Sequence, residues 1–494
     1  MAVDSQTIRF FLGEELQEVH DLDTNTTVLN YLRLLAGRRG AKEGCAEGDC
    51  GACTVVVGRP VSDQVEYRAV NACIQLLPTL DGCQLLTVED IRSSTGELHP
   101  VQQALLNRNG TQCGFCTPGI VMSLLALSQQ MGPSSAYERR LALVGNLCRC
   151  TGYGPILDAA EDIVDKVEDT PKQSWQTPAW NRLKHTTPLS LKVAEKQFFA
   201  PQSVQELIQL LDEFPGSTLL AGGTDIGLWV TKQQQELDTI IYLGNIAELQ
   251  ETTFGQEVLT IGATATYQSA LPLITEHLPA LGVLIERIGS VQIRNVGTIG
   301  GNIANGSPIG DMPPPLIALN ATLYLQSSSG QRSMPLEDFF IEYGKQARRP
   351  GEFVEKIGIP SPPKHSLFNV YKVSKRFDQD ISAVCGAFHV QLDARPDEGR
   401  EPLIVSARIC FGGMAGTPAR ARYVEQSLQG NRWNEVTIKK AQVLMDQDYA
   451  PITDMRASAT YRLQVAKNLL RRFYLESYVG RGTARIDRQQ VVSR

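Results

Sequence analysis

Eight of the eleven cysteines fall into two sets of four. Cys45, Cys50, Cys53 and Cys73 are spaced C-x4-C-x2-C-x19-C, and Cys113, Cys116, Cys148 and Cys150 are spaced C-x2-C-x31-C-x-C. The first spacing is that of a plant-type [2Fe–2S] loop. Structural zinc usually pairs two short C-x2-4-C knuckles, which three close cysteines and one distant one fit poorly. The second set reads as a further four-thiolate site. Zinc competes with that reading, as does a redox dithiol if Cys113-Gly114-Phe115-Cys116 is taken alone. Two clusters on one chain would relay electrons. Cys83, Cys385 and Cys410 are left over and read as small buried hydrophobes.

Those thiols need elements to hold them. Residues 7–12 and 16–20 predict two strands around Gly13-Glu14, and a helix opens at Thr27 with Val28, Leu29, Leu32 and Leu35 on its apolar face. The glycine-rich loop Gly44–Cys53 supplies positive φ angles and N–H groups for sulfur. Thr54–Val57 leads away as a strand, and Cys73 is expected on a helix from Ala69 to Leu77. Residues 99–167 read as helical, with Pro118 in a first turn and Ile156, Ala159, Ala160, Ile163 and Val167 at helical spacing. Both cysteine pairs there fall just before predicted helix starts, where the helix dipole favours thiolates.

Two further glycine-rich loops could approach a pyrophosphate. Leu219-Leu220-Ala221-Gly222-Gly223-Thr224-Asp225-Ile226 follows a predicted strand, and Thr298-Ile299-Gly300-Gly301-Asn302 runs on towards Asp311. Neither is a G-x-G-x-x-G, and each alone also reads as an ordinary tight turn. Strands at 367–374, 383–393 and 402–412, followed by helices near 418–429, 434–446 and 455–475, predict a C-terminal α+β layer.

The chain has 494 residues, 42% of them apolar and 20% charged, with a formal net charge of −6. No basic excess exists to neutralise phosphates, which argues against nucleic acid as the main partner. No apolar run reaches the ~18 residues of a membrane span, and no leader pattern is visible, so a cytoplasmic protein with no membrane partner is expected. The expected divisions are 1–85 (the plant-type cysteine loop and its strands), 86–167 (helical, with the second cysteine set), 168–190 (linker), 191–365 (α+β, with both glycine-rich loops), 366–478 (small C-terminal α+β domain) and 479–494 (tail or subunit contact). The fold class is thus multidomain α+β.

Gly44–Cys53, Cys113–Gly119 and Cys148-Arg149-Cys150-Thr151-Gly152-Tyr153 resemble the two-cluster module of molybdenum hydroxylases. The resemblance implies that all eight cysteines are cluster ligands, with the helical cluster nearer molybdenum and the other nearer flavin. It implies a plant-type [2Fe–2S] ferredoxin β-grasp domain over 1–85, an all-α [2Fe–2S] domain over 86–167 and an α+β FAD-binding domain over 191–365, with Leu219–Ile226, Thr298–Asn302, Asp311, Val354 and Lys372 as FAD contacts. Ile288 falls where many xanthine dehydrogenases place an aromatic residue beside the isoalloxazine ring, a departure from the pattern. Tyr343 and Asp380 match NAD+ contacts; a packed tyrosine and a solvated carboxylate are the competing readings.

The order of segments resembles the small subunit of bacterial xanthine dehydrogenases. That resemblance implies two [2Fe–2S] clusters and FAD on this chain, and NAD+ as acceptor. It also implies a molybdopterin-binding large subunit in an α2β2 assembly that oxidises hypoxanthine and xanthine. No protein acid or base is expected to be catalytic on this chain. The alternative within the family is an electron-transfer subunit for an aldehyde, an N-heterocycle or carbon monoxide. A partnerless flavin–iron–sulfur protein and a non-catalytic zinc scaffold are the readings outside it.

Overall fold

The computed structural model describes residues 6–61, 64–93, 96–130, 134–164, 174–176, 180–183, 188–396 and 401–477. The expected tail 479–494 and most of the expected linker lie outside them. The chain divides into two compact units: Met1–Ala247 with Gly289–Gly297, and Glu248–Ile288 with Thr298–Arg494. This division cuts across the expected 191–365 segment.

Among the described residues the first unit holds two sheets and five helices of eight residues or more, Val204–Glu213 among them. Its five-stranded sheet runs Glu15–Val19, Ile8–Leu12, Gln84–Leu86, Thr54–Val61, Gln64–Asn71. The β-branched run Thr54-Val55-Val56-Val57 suits a strand buried on both faces, and all four residues are buried. A four-stranded sheet runs Leu189–Val193, Lys196–Ala200, Thr239–Tyr242, Thr218–Leu220. Both sheets share one core, in which Phe10, Val55 and Leu77 pack with Phe198, Leu220 and Ile240.

The helices Pro100–Asn107, Thr117–Ser128, Ala136–Leu143 and Gly154–Val164 form the predicted all-α part. His99 and Ser135 close capping boxes with Gln102 and Glu138, satisfying N–H groups that a helix start leaves orphaned. Thr117–Ser128 buries eight of its residues, as expected of a helix apolar nearly all round.

Two local expectations are corrected. Cys73 is not on a helix: Ala69–Asn71 completes a strand paired with Thr54–Val56, and Cys73 follows in a turn. Backbone pairing with a β-branched partner strand overrides the helical spacing read there. The helix opened by Thr27 becomes a π-turn at Tyr31–Leu35, closed by Ala36 N–H to the Tyr31 carbonyl at 2.9 Å. The extra residue per turn rotates Leu35 off the core face, leaving it exposed. The linker expectation also missed an anchor: Trp175 is buried in the helical core, edge-on to Tyr67 at 5.4 Å.

The second unit has a five-stranded antiparallel sheet, Thr252–Gly255, Val258–Gly262, Phe353–Pro360, Thr322–Ser327, Gly330–Pro335. A four-stranded meander, Ser366–Val373, Val384–Leu392, Ile404–Gly412, Ala419–Arg420, follows the predicted strands closely. Helices Arg422–Leu428, Glu435–Val443 and Ala459–Glu476 cover it through Trp433, Leu470 and Phe473. Among the described residues no helix is long and apolar enough to cross a membrane.

Candidate functional site

The first unit brings the eight sequence-selected thiols into two groups. Cys45 lies within hydrogen-bonding reach of Cys50 and Cys73, and Cys73 within reach of Cys53. Backbone N–H groups of Glu47, Asp49 and Cys50 point at Cys45 Sγ from 3.4, 3.4 and 3.3 Å. Hydrogen bonding from Cys50 and then Cys73 holds the Cys45 thiol well below its ordinary range. The loop also needs bare backbone: a Cβ on Gly44 would stand 2.7 Å from Cys50 Sγ. Asn71 fastens the loop, donating to the Gly48 carbonyl at 2.8 Å.

In the second group Cys116 meets Cys148, and Cys150 meets Cys113. Cys116 is the N-cap of Thr117–Ser128, and Cys150 precedes Gly154–Val164 by four residues. Burial would raise the Cys148 thiol, but hydrogen bonds from the Thr151 hydroxyl and backbone outweigh it and hold it low. The Tyr153 hydroxyl accepts from Cys148 N–H at 2.9 Å. Burial, followed by interaction with Cys148, pushes Cys116 up to about 12. Cys113 and Cys150 are exposed, and so are the side chains of Phe115, Leu147 and Tyr153 beside them.

Among the described residues no three His, Cys, Asp or Glu side chains stand close enough to hold a single metal ion. The first set forms a chain of contacts, Cys50–Cys45–Cys73–Cys53, and the second two pairs, Cys116–Cys148 and Cys113–Cys150, a spread that suits a group with more than one metal better than a lone zinc. Four thiolates, inward N–H donors and a glycine cradle fit a [2Fe–2S] cluster at the first site, and four thiolates at helix starts fit one at the second.

The two groups are joined through the backbone. Leu147 N–H donates to the Cys50 carbonyl at 3.0 Å, and Leu147 adjoins Cys148. Gly51 and Gly119 are in backbone contact: a Cβ on Gly119 would lie 2.2 Å from the Gly51 carbonyl oxygen. On its other side the first group abuts the first glycine loop. The Ile74 carbonyl oxygen would stand 2.3 Å from a Cβ on Gly227 and 3.4 Å from one on Gly223. Thr231 donates to the Ala46 carbonyl at 2.8 Å, tying the helix Ile226–Thr231 to the cysteine loop. Leu219 and Leu220 end a strand, and Ala221–Asp225 form the turn before that helix. Burial raises the Asp225 carboxyl.

The remaining sequence-selected residues lie in the second unit. Thr298 caps the short helix Ile299–Ala304, its hydroxyl accepting from Gly301 N–H at 3.1 Å. Gly300 packs on Ala263, whose carbonyl accepts its N–H at 3.0 Å. Beside this turn the buried Thr264 hydroxyl meets no hydrogen-bond partner among the described residues, so a polar ligand at the turn would satisfy it. Asn302 accepts from Met312 N–H at 3.3 Å. Asp311 and Lys372 form a buried ion pair, with Ser382 donating to the other carboxylate oxygen. Val354 is buried in Phe353–Pro360, while Ile288 packs partly buried on the same core. Glycine backbone, a capped helix start and a buried lysine fit a flavin nucleotide.

Tyr343 is 75% exposed at a hairpin turn, and Asp380 accepts from Arg376 N–H at 2.8 Å and Ile381 N–H at 2.9 Å. Burial opposes Asp380 ionisation, but those N–H groups prevail and lower its carboxyl. Arg287 lies 4.3 Å over the Phe377 ring and donates to the Lys372 carbonyl at 2.8 Å. Sequence reasoning missed Asn71, Ser123, Asn146 and Gln292. The signal was a polar residue inside an otherwise apolar stretch, as Ser123 is between Met122 and Leu124.

Three family models match consecutive stretches: the [2Fe-2S] binding domain over 87–161, the FAD binding domain in molybdopterin dehydrogenase over 192–362, and the CO dehydrogenase flavoprotein C-terminal domain over 369–477. The chain belongs to the molybdenum hydroxylase family. A xanthine dehydrogenase of Emericella nidulans is 32% identical over 95% of this chain and 38% of its own length. Xanthine dehydrogenase 1 of Arabidopsis thaliana is 30% identical over 85% and 36%. This molybdenum hydroxylase chain therefore spans little more than a third of those relatives. Among solved structures, a Cu,Mo-CO dehydrogenase chain matches with a TM-score of 0.51 and 27% identity, covering 56% of this chain and 94% of its own. Quinoline 2-oxidoreductase from Pseudomonas putida 86 matches with 0.51 and 26%, covering 56% and 95%. [2Fe-2S]-binding and FAD-binding domains are thus present.

Proposed function

We propose that this chain is the iron–sulfur/flavin electron-transfer subunit of a xanthine dehydrogenase, serving a molybdopterin-binding partner that oxidises hypoxanthine and xanthine. The observation that carries the reading is the run of contacts from Cys148 through Leu147, Cys50, Cys45 and Cys73 to Ile74 and the glycine loop. When bound, [2Fe–2S] clusters pass electrons singly and FAD gathers two for a hydride acceptor. The eight cysteines would hold the clusters. Leu219–Ile226, Ile288, Thr298–Asn302, Asp311, Val354 and Lys372 would hold FAD.

This chain's own work is positional. N–H groups aimed at Cys45 favour its ionised sulfur, and the shared core of the two sheets keeps water away from the inner side of the loop. Phe115, Leu147 and Tyr153, exposed and within three residues of the exposed Cys113 or Cys150 in sequence, suit docking by the molybdenum-bearing chain. An α2β2 assembly in the cytoplasm is part of the proposal. Exposed Tyr343 and the anchored Asp380 would receive NAD+.

The similarity to xanthine dehydrogenases along most of the chain supports the purine reading. The carbon monoxide and quinoline enzymes among structural neighbours favour the second reading, another substrate on the partner. The test is to purify the native complex, measure iron, flavin and molybdenum, and follow NAD+ reduction by xanthine. Cys148→Ser should retain flavin and lose xanthine-driven flavin reduction. Unchanged turnover in that variant, or stoichiometric zinc without iron in the wild type, would overturn the proposal. Turnover with quinoline or carbon monoxide but not xanthine would select the second reading.

A further inference from the structure

The segment Gly289–Gly297 belongs to the first unit, although the chain on both sides of it belongs to the second. At its centre Gln292 is fully buried. Its Nε2 lies 3.0 Å from Ser123 Oγ, 3.1 Å from Asn146 Oδ1 and 3.4 Å from Thr54 Oγ1. Each of these residues lies close to a cluster cysteine in sequence or on its helix. Thr54 follows Cys53, Asn146 stands two before Cys148, and Ser123 is on the helix capped by Cys116.

The orientation of the amide is fixed by its neighbours. Asn146 Nδ2 donates to the Gly51 carbonyl at 3.1 Å and to Thr54 Oγ1 at 3.3 Å, so its Oδ1 must face Ser123 and Gln292. Ser123 Oγ donates to that same Oδ1 at 2.6 Å. An acceptor-only atom there requires Gln292 to present nitrogen. The packing is as tight as the bonding: a Cβ on Gly145 would stand 2.0 Å from Gln292 Oε1 and 2.7 Å from Ser290 Cβ. Asn295 adds a second tie, donating to the Ala69 carbonyl at 2.8 Å in the strand before Cys73.

We infer that Gln292 is a positioning residue for electron passage between the two clusters, one side-chain amide holding both cysteine-bearing domains in register. The inference rests on the cluster assignment proposed above. Gln292 is held through its nitrogen alone, since its Oε1 meets no hydrogen-bond partner among the described residues, and losing that central donor leaves three buried acceptors free to shift. Small changes in spacing weigh heavily because electron transfer and the magnetic interaction between clusters both depend steeply on separation and orientation.

The test uses the full chain, iron- and flavin-loaded, as wild type, Gln292→Leu and Ser123→Ala. Iron and flavin are counted, electron paramagnetic resonance of the fully reduced protein reads the coupling between clusters, and pulse radiolysis reads electron equilibration. Gln292→Leu should keep full iron and flavin, change the spin–spin splitting and slow equilibration at least tenfold. An unchanged splitting and rate at full iron would overturn the inference. If Gln292→Leu loses iron, Ser123→Ala decides. That variant removes one partner and keeps its helix, so a change in splitting with a slowing of about threefold supports the inference, and wild-type behaviour overturns it. Wild-type protein without iron would instead overturn the cluster assignment itself.

Discussion

Replacing Gly51 with alanine should separate the cost of a backbone angle from the cost of parting two domains. Gly51 has φ +69°, and a Cβ there would stand 2.0 Å from the Gly145 carbonyl oxygen and 2.7 Å from Asn146 Nδ2. A non-glycine residue in left-handed backbone costs roughly 1–2 kcal/mol. Forcing an atom into close-packed backbone adds about 1–3 kcal/mol, and the hydrogen bonds from Asn146 and Leu147 to residues 51 and 50 stretch as well. Gly82 supplies the comparison, with φ +76° and nothing within 4 Å of its Cβ position. Gly82→Ala should therefore cost about 1–2 kcal/mol and Gly51→Ala about 2–5 kcal/mol. Denaturant unfolding followed by far-ultraviolet dichroism measures both, and visible absorbance reports whether the clusters leave first. Equal losses in the two variants would show that contact between Gly51 and Gly145 carries no weight.

Two other expectations concern flavin and pH. Gly222→Val should lower the flavin-to-iron ratio while sparing iron, because a Cβ there would meet the Val296 carbonyl oxygen at 1.9 Å and push the loop aside; a normal ratio measured after gel filtration would refute the loop assignment. His99 is buried, and burial lowers its imidazole from 6.5 to about 4. The folded state then resists a proton that the unfolded state accepts, so stability is full above pH ~6.5 and falls as pH drops towards ~4, by up to about 3 kcal/mol. His99→Asn should keep the helix cap and flatten that dependence, which unfolding curves between pH 4 and 7 would read.

The thiol spacing and the strand alternation were legible because each depends on a short run of residues. Val55 and Val57, and the 383–393 strand, carry their fold in their own pattern. Cys73 was misread because its neighbours satisfy helical spacing, and only a partner strand far away in sequence, Thr54–Val61, decides otherwise. Leu35 was misread because a π-turn leaves no mark in a periodicity count. Trp175 sat among prolines and polar residues, where one large apolar side chain does not alter the average. Gln292 was invisible for a different reason. Its importance comes from Ser123 and Asn146, which lie 169 and 146 residues away.

The excursion of Gly289–Gly297 into the first unit has a practical side for anyone dissecting this molecule. The flavin-family stretch, 192–362, contains the Gly289–Gly297 peptide that belongs to the first unit, so cutting it away breaks that peptide's hydrogen bonds. A fragment ending at Ala247 would lack Gln292 and Asn295, stripping Ser123, Asn146 and the Ala69 carbonyl of donors they use in the intact protein. Splitting the chain in two would have to supply that short peptide from the other piece.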